Sequence, residues 1–281
     1  MAHVPLEDET LDVAIFSLSL MGANFADYVR EAYRTLKLDG HLHIHYWDGV
    51  QWRWTDHGTP GNTTVFDTPA VVTWQDSGTW VIYSFVRGRN GNLFAYYWDG
   101  GQWRWEDTGA PANNVKLGGS PAATPRAEII STPNLITRTQ QVVQAFARGD
   151  DGHLYMVALN LSLIGHKLTR KWVWSDLGTP QSTKVSATPG VITYPEDNTQ
   201  RTYVFVRGYD SQLHVCYWTG QWQWAVQGKP YGAAVVDAPG VTTYLESGRQ
   251  WIYAVVRGDD NVYHANYWNG WQWNWATLPC P

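Results

Sequence analysis

The stretch from Phe85 to Trp105, FVRGRNGNLFAYYWDGGQWRW, decides the fold, because it returns at residues 204–224 as VFVRGYDSQLHVCYWTGQWQW. Working outward from it, a Trp-x-Trp pair stands at Trp52/Trp54, Trp103/Trp105, Trp172/Trp174, Trp222/Trp224 and Trp273/Trp275. Successive first members are 51, 69, 50 and 51 residues apart. A Tyr-Trp-x-Gly turn precedes four of the pairs, at Tyr46, Tyr97, Tyr217 and Tyr267. An Arg-Gly pair recurs at Arg87, Arg148, Arg207 and Arg257, and a proline is read as opening each unit at Pro69, Pro133, Pro189 and Pro239. One unit parses into four runs rich in β-branched and aromatic residues: Pro69–Trp74, Trp80–Val86, Leu93–Trp98 and Gln102–Asp107. Turn residues divide them. Four short strands in a unit of roughly 50 residues is the period of a propeller blade. Residues 39–281 are therefore expected to form an all-β propeller of four-stranded blades, four complete and one partial, closing as five.

The third unit departs from the others. Gly109 to Pro133 spans 24 residues where Gly178 to Pro189 and Gly228 to Pro239 span 11, so residues 112–128 read as an inserted surface loop. Leu159 to Lys171 replaces the Tyr-Trp-x-Gly turn with an extended hairpin.

Composition agrees with this reading and excludes others. Eighteen tryptophans and 26 glycines in 281 residues, with only 16% charged residues, suit strands joined by tight turns. The 20 Lys and Arg residues are scattered and the net charge is −5, which gives no electrostatic footprint for nucleic acid. Cys216 and Cys280 make neither a disulfide framework nor a zinc-ligand spacing. The longest apolar run, Val13 to Met21, is too short for a membrane span, so no membrane partner is expected. MAHVPLEDET lacks the basic and apolar regions of a signal peptide, and an intracellular location is the default expectation.

The third strand of each unit carries the candidate site. Aligned positions are His43, Phe94, Tyr155, His214 and His264; then His45, Tyr96, Val157, Cys216 and Asn266; then Trp47, Trp98, Leu159, Trp218 and Trp268. Alternate strand residues share a face. A sugar packs its C–H face on an aromatic ring and gives its hydroxyls to neighbouring polar groups. The expected carbohydrate-binding residues are Trp47, Trp98, Trp218, Trp268, His43, Tyr96, His214 and His264, with Arg87, Arg207 and Arg257 at the rim. Packing between blades is the competing role for any single ring, and the arginines also suit carbonyls or carboxylates of a neighbouring blade. No site is expected in the third unit, with Tyr155, Val157 and Leu159. His41, His43 and His45 share a face, but no carboxylate stands at matching sequence spacing, so no functional metal site is expected. No nucleophile pairs with a base, and no two carboxylates form an acid/base couple; an enzyme is not expected.

The pattern VRGxDGxL…YWxGxxWxW resembles the bacterial-type lectin propellers typified by the seven-bladed Photorhabdus lectins, over residues 39–281. That resemblance implies binding of fucose and related sugars, hence glycan or glycoconjugate partners, no cofactor, and avidity from repeated sites. The exposed aromatic rows leave homo-oligomer formation open.

Residues 1–38 contain none of the repeat. Leu11–Leu20 is strand-like, and Asn24–Lys37 is helical, with Phe25, Tyr28, Val29, Ala32, Tyr33 and Leu36 at helical spacing. The sequence MAHVPLEDETLDVAIFSLSLMGANFADYVREAYRTLKLDGHLHI resembles the ribosomal RNA-processing protein 8 methyltransferases. This implies a piece of a Rossmann-like sheet, S-adenosylmethionine as cofactor and a nucleolar setting. Met1 falls at a residue lining the adenine pocket, and Ser17 where the family carries a cysteine near the cofactor. The glycine-rich loop and the acidic residue for the ribose are not in this stretch, so a fragment without cofactor binding is expected. The fusion point at Asp39-Gly40 supplies the first unit's third and fourth strands only, and Val13–Leu20 is expected to replace a missing strand beside His41–Trp47.

Overall fold

The computed structural model describes residues 40–279 except 48–49, 77–78, 99–100, 112–113, 132–136, 165–166, 182 and 197–198. The expected N-terminal strand and helix, Met1 and Ser17 lie outside these residues. Every regular element described is a β-strand. The strands group into one two-stranded and four four-stranded antiparallel sheets, each made of consecutive strands. The half-blade is β1 (His43–Trp47) and β2 (Trp52–Asp56). The first full blade is β3 (Val65–Asp76), β4 (Thr79–Gly88), β5 (Leu93–Trp98) and β6 (Trp103–Gly109). Next comes β7 (Ala122–Ser131), β8 (Thr137–Arg148), β9 (Leu154–Ile164) and β10 (Lys167–Asp176). The third full blade is β11 (Gly190–Glu196), β12 (Thr199–Arg207), β13 (Leu213–Trp218) and β14 (Trp222–Gly228). The last is β15 (Gly240–Glu246), β16 (Arg249–Arg257), β17 (Tyr263–Trp268) and β18 (Trp273–Thr277). The first strands of the full blades touch in the order β3, β7, β11, β15, as innermost strands of a propeller do. Four complete blades and the outer half of another thus agree with the repeat.

One boundary read from sequence is corrected. The third unit opens at Pro121, not Pro133: Ala122 pairs with Phe146 just as Ala70 pairs with Phe85 and Gly190 with Phe205. Residues 122–128 belong to β7 rather than to an inserted loop, and Leu117 is buried, bridging Gly149. The additional length sits instead in two long hairpins, β7–β8 and β9–β10, which extend at the same end of the blade. The second of these is the extended hairpin that the sequence indicates.

Strand alternation explains how blades adhere. In the first full blade Tyr83, Phe85, Ala95 and Tyr97 share one face and Val86, Phe94, Tyr96, Trp103 and Trp105 the other. The first face packs on Val143, Ala145, Ala147, Val157, Trp172 and Trp174 of the next blade. Phe146 and Met156 then meet Val204, Val206, Cys216 and the pair Trp222/Trp224. Phe205 and Val215 meet Ile252, Ala254 and the pair Trp273/Trp275. Leu42 and Ile44 of the half-blade cover Phe94, Tyr96, Trp103 and Trp105.

The Trp-x-Trp motif is therefore the seam of the propeller. The first tryptophan of the pair meets a phenylalanine nearly edge-on, Trp172 on Phe85, Trp222 on Phe146 and Trp273 on Phe205, at 5.7–5.8 Å. The second donates its indole N–H to a backbone carbonyl of the preceding blade. Trp105 reaches His57 O at 3.0 Å, Trp174 reaches Thr108 O at 2.7 Å, Trp224 reaches Leu177 O at 2.8 Å, and Trp275 reaches Gln227 O at 2.9 Å. Each acceptor is followed by a glycine at positive φ: Gly58 (67°), Gly109 (83°), Gly178 (72°) and Gly228 (77°). That left-handed turn, strained for any residue with a Cβ, ends the outermost strand where its carbonyl meets the indole.

Candidate functional site

Most of the third-strand row lies inside these seams. Tyr96, His214 and His264 are buried, so the expected open row of ligand-facing rings is corrected: the face they occupy is covered by the preceding blade. Each of these polar rings already has a partner. His214 Nε2 lies 3.0 Å from the Asp210 carboxylate and His264 Nε2 3.1 Å from Asp260, in the turn just before the strand. Tyr155 uses the same device, donating its hydroxyl to Asp151 at 2.7 Å. Tyr96 Oη lies 2.5 Å from His57 Nδ1 of the half-blade, and burial pushes that phenol up to about 12. His43, by contrast, is half-exposed opposite Asp56.

The rim arginines serve the backbone and neighbouring carboxylates. Arg87 donates to Leu117 O of the next blade at 2.7 Å and pairs with Asp67 at 2.5 Å. Arg257 binds Asp237 at 2.7 Å. Arg207 is half-buried, and its Nε finds no partner.

The tryptophans at the end of the third strand remain at the mouths of the seams. Trp98 lies 5.7 Å from Trp103, Trp218 lies 5.5 Å from Trp222, and Trp268 lies 5.7 Å from Trp273. Each is the cross-strand partner of the first Trp-x-Trp ring. Trp47 pairs in register with Trp52.

Grooves open along two of the seams among the described residues. Between the last two blades lies a groove of about 450 Å³, lined by Tyr203, Tyr217, Asn266, Trp268, Trp273 and Trp275, among others. Its floor includes Val215 and Ala225. Tyr194, Tyr203 and Tyr217 form a stacked ladder with 5.9 Å steps along one wall, and Trp273 is tilted against Tyr203. Asn266 is 1% exposed. Its amide nitrogen donates to Asn274 O at 3.3 Å, but its Oδ1 has no hydrogen-bond partner. A buried acceptor left without a donor costs about 1–3 kcal/mol. Oδ1 itself has almost no accessible surface, so a ligand hydroxyl meets it only where the groove lining shifts aside.

Sequence reasoning placed Trp268 here but passed over Asn266, Tyr203 and Tyr217. Asn266 is the one amide in a column with His45, Tyr96, Val157 and Cys216, and that difference was the available signal.

The equivalent seam between the first two full blades is filled from within. Arg170, on the extended hairpin, donates to Tyr83 Oη at 2.9 Å and to Tyr97 Oη at 3.2 Å, and stands 4.8 Å over the Tyr97 ring. Glu106 lies 3.7 Å away. The guanidinium therefore covers the aromatic wall that stays open around Asn266. A further groove of about 540 Å³ runs from Pro60–Thr63 to Asn90, Phe94, Trp105 and Asp107. Its polar groups are largely engaged: Asn90 Oδ1 accepts from the Asn92 amide, and Asp107 binds Asn92 and the Gly109 amide.

Comparison with solved structures bears on this architecture. The Aleuria aurantia lectin, a fungal lectin described as a six-bladed β-propeller with a novel fucose recognition mode, superposes with a TM-score of 0.51 at 14% identity. The match covers 86% of this chain and 72% of the lectin. AofleA from Arthrobotrys oligospora superposes with a TM-score of 0.53 at 13% identity, covering 86% of this chain and 67% of AofleA. The chain shares the propeller fold of these proteins. Its first 44 residues match elsewhere. A family described as a hypothetical methyltransferase matches residues 1–57. Mouse ribosomal RNA-processing protein 8 is 59% identical over 44 residues, which are 16% of this chain and 10% of the mouse protein. The chain thus spans about a tenth of that relative's length, and the methyltransferase relation is confined to its N-terminal part.

Proposed function

We propose that the chain is a non-enzymatic, carbohydrate-binding propeller that takes a small sugar in the groove between its last two blades. The observation that carries this is the partnerless Asn266 Oδ1 at the base of a groove walled by Tyr203, Tyr217, Trp268 and Trp273. The aromatic faces suit the C–H surface of a pyranose, and the buried carbonyl suits one hydroxyl. Val215 and Ala225 leave an apolar corner that fits the methyl group of a 6-deoxy sugar such as fucose. The fucose-recognising lectin of the same fold supports that choice of sugar. A single small-sugar groove gives weak affinity, so tight binding would require several copies of the chain acting together on a multivalent glycan. A glycan array probed with the labelled full chain tests the reading: fucosylated glycans should give signal that free methyl α-fucoside competes away, and a blank array would remove it.

The match of residues 1–44 to an RNA-modifying family motivates a second reading, in which the chain binds S-adenosylmethionine. Calorimetric titration with S-adenosylmethionine separates the two, since stoichiometric binding would support this reading and no heat would leave the lectin reading standing alone.

A further inference from the structure

We propose that His41, His43 and Asp56 form a divalent transition-metal site, of the zinc type, that ties the two strands of the half-blade together. The carboxylate that sequence spacing lacks comes from across the hairpin: Asp56 on β2 is the register partner of His43 on β1. His41 and His43 are two residues apart on extended chain and project to the same side. His41 Nδ1 lies 3.0 Å from Asp56 Oδ2, and His43 Nε2 lies 4.0 Å from Asp56 Oδ1. All three donor atoms fall within 4.8 Å of one another. Metal–ligand bonds of about 2.0–2.2 Å require donors somewhat closer than that, so binding would draw the three side chains together. Two imidazoles and a carboxylate with a remaining open position match the donor set of zinc and cobalt sites.

The other units show what is special about this one. The pair joining the residue before the third strand to an aspartate at the end of the fourth recurs as Asn92 with Asp107 and as His153 with Asp176, at 3.0 Å in both cases. Those pairs have two members. Among the described residues, only the half-blade adds a third donor turned toward the carboxylate. At the same position stand Phe94 and Tyr155, then His214 and His264, whose rings are buried and turned to their own turn aspartates. His45, the next histidine along β1, is stacked on Trp54 at 4.4 Å. The half-blade also has the greatest need of a tie. A hairpin of two strands gains little stability of its own in water, and among the described residues this sheet has two strands where each of the others has four. The inference is independent of the sugar reading.

The test uses the full chain, freed of any histidine tag, titrated with Co²⁺ and with Zn²⁺. One equivalent of Co²⁺ should give the visible bands of low-coordinate cobalt, displaced by Zn²⁺. His43→Phe copies the residue of the next unit and so preserves packing. It should weaken binding by more than the roughly 10–100-fold that loss of an outer-shell partner costs. Asp56→Asn should do the same, while His153→Ala, in a two-membered pair, should leave binding unchanged. Absence of binding, or binding that survives His43→Phe, would overturn the proposal.

Discussion

If the Trp-x-Trp motif is the seam of the propeller, replacing Trp224 by phenylalanine should weaken the whole domain without touching the open groove. Trp224 packs between Phe146 and Met156 of one blade and Cys216 of its own, and its N–H reaches Leu177 O at 2.8 Å. Phenylalanine keeps the aromatic bulk but removes the donor. The lost hydrogen bond contributes about 1 kcal/mol, and the carbonyl left without its indole donor adds about 1–3 kcal/mol. The expected cost is therefore about 2–4 kcal/mol. For a domain of this size about 2–4 °C of melting temperature accompanies each kcal/mol, so Tm should fall by about 4–16 °C. Differential scanning calorimetry measures this, with Trp271→Phe as the control. Trp271 is 72% exposed, and its replacement should stay within about 0.5 kcal/mol of the parent. If the two variants melt together, the seam account fails and the tryptophans must be explained as surface rings.

Further outcomes follow from the same geometry. Cys216 is fully buried and its thiol is pushed up to about 12 by burial, so it should resist alkylation at pH 8 in the native state and react at once in denaturant. Arg170→Met should remove the donors to Tyr83 and Tyr97 and destabilise by about 1–3 kcal/mol in urea unfolding, while making the first inter-blade groove accessible. Burial holds His57 below its ordinary imidazole range. A histidine lowered in the folded state binds fewer protons than in the unfolded chain, so stability present at neutral pH is lost as pH falls through about 6.5. Thermal melts from pH 8 to pH 5 should show this loss, and His57→Gln should flatten it. Burial raises Tyr83 and Tyr96 to about 12. Above about pH 10 the unfolded chain releases these protons first, so stability should fall again in alkali, read by phenolate absorbance against unfolding.

Much of the fold was legible because the repeat writes the same physical demands several times. The strands of the unit 65–109 contain the apolar runs read from sequence, since β-branched and aromatic residues dominate those runs. The third unit was harder. Pro133 looked like the opening proline because the extended hairpin was legible only between the third and fourth strands; the pairing of Ala122 with Phe146 reveals the other one and Pro121 as the equivalent. The site was less legible than the fold. Alternation puts His214 and Trp218 on one face, but it does not say how deeply the next blade covers that face. His214 is sealed while Trp218 is 37% exposed, four residues away on the same strand. Asn266 and Asp56 were missed for a common reason. Each matters through a partner far away in sequence or through lacking one, and neither property is a pattern in the chain.

The central claim is that the groove around Asn266 binds a sugar, and titration calorimetry of methyl α-L-fucoside into the parent and Asn266→Leu tests it most directly. Leucine keeps the branched shape of asparagine and removes the orphaned acceptor, which offsets the lost amide bond to Asn274 O, so the variant should fold while losing the hydroxyl partner. The account predicts saturable binding to the parent and a loss of about tenfold or more in the variant, the size of one hydrogen bond to a buried acceptor. Equal affinity of the two proteins, or no saturable heat from either, would contradict it.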